Sequence, residues 1–134
     1  MNHHRRLPDD GSTSVQYAIV SGLFLLLFFA AVQTGLWWYA RSVCLTAAWH
    51  GVQAGRTVDG TTTEALITAR SFLSRVGLGL VEDTAVTASS DANNVRVQVS
   101  GTAIRILPLP FGNLDVTQSA TGAKERYTTP GGAR

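Results

Sequence analysis

Residues 11 to 40 form a run of 30 positions without a charged side chain, and all 20 charged residues of the chain lie outside it. Within this run, residues 17–40 read YAIVSGLFLLLFFAAVQTGLWWYA. As an α-helix these 24 residues span about 36 Å, more than the roughly 30 Å of a bilayer's hydrocarbon core. A helix that is apolar on every side has to be covered all round, and a chain of 134 residues cannot wrap one. The run therefore predicts a membrane span over about 17–40. Tyr17 marks one end and Trp37, Trp38 and Tyr39 the other, an aromatic belt at the depth amphipathic rings prefer. Arg41 follows at once and would lie in water. Arg5 and Arg6 flank one side, Arg41 and Arg56 the other, so charge alone does not orient the span. A cleavable secretory signal is the rival reading. Its apolar region is usually about 7–15 residues long with a small-x-small site close behind, whereas here Thr46, Ala47 and Ala48 lie well beyond the belt.

The helical pattern continues past the membrane. No Pro occurs from Arg41 to Arg56. Leu45, Ala48, Trp49 and Val52 recur at i, i+3, i+4 and i+7, one face of a helix. Ala47, Gly51 and Gly55 form a second stripe of small residues, which lets another helix come close. Each Gly costs about 1 kcal/mol against Ala in a helix interior, so either close packing holds them there or Gly55 begins the helix end. Since a lone membrane helix cannot bury such a stripe, a helix from another subunit is expected. His50 has no second His or Cys cluster beside it, and the single cysteine, Cys44, excludes an internal disulfide. Cys44 reads as a small apolar helix residue or as a crosslink between copies.

A short polar leader, MNHHRRLPDDG, precedes the span, followed by Ser12, Thr13, Ser14, Val15, Gln16 and Tyr17. This arrangement resembles the class III signal of type IV pilins and their relatives. The resemblance implies that a prepilin peptidase cuts after Gly11 on the cytoplasmic side and leaves the apolar helix attached to a mature N-terminus at Ser12. In that family the fifth residue after the cut is typically Glu; here it is Gln16, with Tyr17 next, as in the Glu-Tyr pair of Flp pilins. A neutral amide can accept a hydrogen bond from a neighbour's N-terminal amine but gives no ion pair. Further along, Ala48, Gly51 and Ala54 match the small residues of a segment characteristic of the TadE-like family, while Trp49, His50 and Gln53 stand at its charged positions. The chain is thus similar to TadE-like minor pilins and pseudopilins of tight-adherence systems. The resemblance covers residues 9–58 and, in architecture only, the remainder.

The rest reads as a small α+β head. Thr61 and Glu64 match a capping box, and Ala65, Leu66, Ala69, Phe72, Leu73 and Val76 share one face of the helix that follows. Gly77 and Gly79 end it. Residues 84–89 form a short strand, and Ser90, Asp91, Ala92 and Asn93 a turn. Val95, Val97 and Val99 alternate with polar residues as a half-buried strand. Ile104 and Ile106 fall in the opposite parity, which predicts a bulge at Gly101 or its neighbour. Leu114, Val116 and Ala120 point inward from a last strand. Leu107 to Phe111, LPLPF, reads as core closure or a partner contact.

The expected architecture is α+β: a long N-terminal transmembrane helix continuing into an amphipathic helix, then one helix on a three-stranded antiparallel sheet. The parts are a leader at 1–11, a pilin-like helix at 12–58, a head at 59–127 and a tail at 128–134. No catalytic motif, phosphate-binding loop or metal constellation is present in the sequence. Asp91 with Asn93 and Asn94 fits a tight turn better than a calcium loop. No enzyme activity and no cofactor are expected, and the scattered basic residues give no nucleic-acid footprint. The resemblance implies a structural subunit in the cell membrane, N-terminus cytoplasmic and head outside. Its partners would be the bilayer, other pilin-like subunits, the assembly platform and the prepilin peptidase. The alternative is a single-pass membrane protein whose head binds a ligand or protein, unrelated to pili.

Overall fold

A computed structural model describes residues 10–107 and 112–126. The sequence readings of the leader up to residue 9, of Pro108, Pro110 and Phe111 and of the tail from 128 onward lie outside the described residues. Helix α1 runs Asp10–Gly55 and is followed by α2, Thr62–Val76, then strands β1, Val81–Ser90, β2, Asn94–Ala103, and β3, Asp115–Ala123. The strands form an antiparallel meander in the order β1-β2-β3. The α+β class, the capping box and the three strands agree with the sequence.

At about 1.5 Å per residue, the 46 residues of α1 make a rod of roughly 69 Å. Its two halves differ. Every residue from 11 to 32 is exposed, including Ile19, Leu23, Phe24 and Phe28. From Ala40 onward one face is buried: Ala40, Val43, Cys44, Ala47, Ala48, Gly51, Val52 and Gly55. That is the helical spacing of a single stripe. It is not the stripe the large residues suggest. Ala48 and Val52 are buried, but Leu45 and Trp49 are exposed. The face is chosen by size rather than hydropathy, because both α2 and the sheet press close to α1.

Helices α1 and α2 cover one face of the sheet, α1 over β2 and β3, α2 over β1. Val95, Val97 and Val99 are fully buried beneath them, with Val86, Ala103, Val116 and Ala120 beside them. Burying a valine side chain contributes about 1.5–3 kcal/mol. The opposite face is exposed and polar, carrying Thr87, Ser89, Arg96, Gln98, Thr117, Ser119 and Thr121.

One local detail corrects the sequence reading and a second refines it. The bulge lies in β1, where the register shifts between Glu82 and Ala85 and Asp83 takes φ 48°. Gly101 is the residue opposite it, where a Cβ would meet Val81 Cγ1 at 2.7 Å. Strand β2 itself keeps one parity from Val95 to Ala103. Ile104 and Ile106 do not continue it; they have left the sheet. The second detail is the end of α2. Gly77 stays right-handed, and the left-handed turn is made by Leu78 and Gly79.

Candidate functional site

The capping box fixes where α2 starts. Thr61 Oγ1 accepts from the Glu64 N–H, and Glu64 Oε2 accepts from the Thr61 N–H. From there α2 runs back antiparallel along α1. Near its far end the Tyr39 hydroxyl donates to the Val76 carbonyl at 2.7 Å. Between these points the small-residue stripe of α1 meets α2. A Cβ on Gly51 would lie 2.9 Å from the Ala65 carbonyl oxygen and 3.2 Å from Ala69 Cβ. One on Gly55 would lie 3.0 Å from Ala65 Cβ and 3.0 Å from Val95 Cγ1. Ala47 is fully buried. The helical neighbour of Gly51 and Gly55 is therefore α2 of the same chain, and Ala47 is buried in the same core, which corrects the expectation that a second subunit covers the stripe. Gly55 is also the last residue of α1, so packing and helix end coincide there.

The apolar half of α1 reaches the head earlier than composition suggests. Gln33 Nε2 donates to the Ile104 carbonyl at 3.0 Å, and Gln33 Oε1 accepts from the Ile106 N–H at 2.9 Å. The segment after β2 is thus held to α1 as a strand edge would be. Trp37 and Tyr39 pack partly buried against the core, and Ala40 is fully buried. The freely exposed apolar helix is 11–32, and the span read as 17–40 overlaps the head over its last eight residues. Of the belt residues, Trp38 stays exposed, while the Arg41 guanidinium carbon lies 6.0 Å from the Trp37 ring centroid. That is a cation–π distance. Sequence reasoning missed Gln33; an amide inside an apolar run was the available signal.

Gly11 and Ser12 lie in the first turns of α1, with Gln16 and Tyr17 one turn on, all exposed. A Cβ on Gly11 would meet nothing within 4 Å. Cys44 is buried under the head, and burial pushes its thiol up. His50 stacks on Phe72, ring centroids 4.7 Å apart, so it serves the contact between α1 and α2. At the β1–β2 turn, Asp91 Oδ1 accepts from the N–H groups of Asn93 and Asn94 at 3.0 and 2.7 Å. These two bonds hold its carboxyl below the usual range. No cluster of three His, Cys, Asp or Glu able to hold a metal occurs among the described residues.

Among the described residues the fold has one apolar helix long enough to cross a membrane, and the other half of that helix is built into a small α+β head. The family model of TadE-like proteins matches residues 11–53, in agreement with the resemblance read from the leader and helix. The matched segment starts at Gly11 and stops two residues short of the end of α1. No curated protein and no solved structure matches the chain.

Proposed function

We propose that the chain is a TadE-like, pilus-associated membrane protein that acts as a minor pilin or pseudopilin in a Tad/Flp-type assembly or secretion system. One observation carries this reading. The TadE-like match begins at Gly11, after which the leader would be cut, and spans nearly the whole of α1. The prepilin peptidase would release Ser12 as the new N-terminus. The helix would then hold the subunit in the membrane, N-terminus cytoplasmic and head outside. With the small-residue stripe already filled by α2, contacts to other pilin-like subunits and to the platform fall to the exposed surface of α1. That surface carries Ile19, Leu23 and Leu27 in the membrane half and Leu45 and Trp49 beside the head.

The test is removal of the gene in its own host. Surface pili, counted by electron microscopy and in the sheared fraction, are expected to disappear and to return with the wild-type chain. Unchanged piliation would favour the other reading, a membrane-anchored binding module.

A further inference from the structure

We infer that the rim of the head around Leu78 and Ile106 is seated in the headgroup layer of the membrane that α1 crosses. The inference rests on the reading of α1 as a membrane anchor and adds a second lipid contact, made by the head.

The placement follows from the contacts that tie the head to α1. Ile104 and Ile106 sit at the level of Gln33, and Val76 at the level of Tyr39. Leu80 is held to the Ile104 N–H through its carbonyl. The α2–β1 turn that carries Leu78 therefore hangs between the Tyr39 and Gln33 levels, about 9 Å apart along the helix axis. A headgroup layer is about 5–8 Å thick on each side. The hydrocarbon core cannot extend past Gln33 without drawing in Arg105 and the backbone around it, and such groups are costly there. Residues 11–32 reach about 33 Å, enough to fill the core without residues 33–40. The interface then coincides with the rim.

What the rim presents there fits that layer. Leu78 is 73% exposed, Ile106 47% and Trp38 66%. Leu78 also holds φ 48°, a conformation that disfavours any side chain but is met here with a large apolar one turned outward. Arg75 and Arg105 stand at the same rim, with Glu82, Asp83 and Asp115 one or two strand residues above. The charges nearly balance, so apolar contact rather than attraction to anionic lipid holds the rim.

The experiment uses the full chain in phosphatidylcholine vesicles, in a Cys44→Ala background that keeps the wild-type far-UV spectrum. Single spin-labelled cysteines replace Leu78, Ile106, Leu27 in the span, or Ala92 at the far turn. Collision with a water-soluble nickel chelate is expected to be about fivefold lower at 78 and 106 than at 92, with or without anionic lipid. Labels at 78 and 106 as accessible as 92, while 27 stays in hydrocarbon, would overturn the seated rim. Chelate access at 27 as well would overturn the anchor reading, and this inference with it. Leu78→Asp supplies a second readout: it is expected to raise chelate access at 106, and an unchanged value there would count against a shared seat.

Discussion

Gln33 is bonded to Ile106 as a neighbouring strand would be, its Oε1 accepting the Ile106 N–H at 2.9 Å. With the partner bond from Nε2 to the Ile104 carbonyl, this single amide joins the apolar half of α1 to the lower edge of the head. The anchor and the head are therefore one piece from Gln33 upward.

Gln33→Leu keeps the apolar length of the helix and removes both bonds. The head is expected to lose about 1 kcal/mol, the usual worth of such bonds when one is partly exposed. Denaturant unfolding in detergent micelles measures this. An unchanged midpoint would show that the Gln33 amide contributes nothing.

Gly51 distinguishes close packing from mere tolerance. Gly51→Ala gains about 1 kcal/mol of helix propensity but forces a Cβ to within 2.9 Å of the Ala65 carbonyl oxygen. Overpacking costs about 1–3 kcal/mol, so a small net loss is expected for Ala and a loss of about 3 kcal/mol or more for Leu. Gly35→Ala, where a Cβ would meet nothing within 4 Å, should keep the propensity gain without the overpacking and raise stability by up to about 1 kcal/mol. Thermal melting of the three variants in micelles ranks them.

Thr61→Ala removes one half of the capping box and leaves the Glu64 N–H without its partner. A cap of this kind is worth about 1 kcal/mol. The lowered melting temperature should be accompanied by faster amide exchange in the first turn of α2, which localises the loss.

Much of this fold is legible in the residues. Thr61 and Glu64 locate the start of α2, and Val95, Val97 and Val99 give the central strand and its buried face. Two misreadings have a physical cause in common, which is that hydropathy does not report distance. Leu45 and Trp49 are more apolar than Gly51, yet only Gly51 and its small neighbours fit under α2 and β2. Ile104 and Ile106 look like strand residues, but their backbone turns away to meet Gln33. The aromatic residues at 37–39 divide between two neighbours: Trp37 and Tyr39 pack partly against the head, and Trp38 stays exposed. The candidate processing residues Gly11, Ser12, Gln16 and Tyr17 rest on the resemblance of the leader and apolar run to a class III signal.

Asp91 gives the head a pH response. Its carboxyl is held low by the Asn93 and Asn94 N–H groups, so its folded value lies below the ordinary 3.8. The charged form therefore stabilises the turn above that ordinary value, and the contribution is lost as pH falls through the lower folded value. Comparison of wild type with Asp91→Asn between about pH 5 and pH 2 should show a difference that shrinks as acid is added. A difference that grows towards low pH would reverse the sign.

The most direct test of the proposed assembly role is the intact mass of the protein extracted from the membranes of its host. A chain beginning at Ser12, cut after Gly11 with Gln16 at the fifth position, is expected. A membrane-bound chain that retains Met1 and the whole leader would contradict processing as a pilin-like subunit.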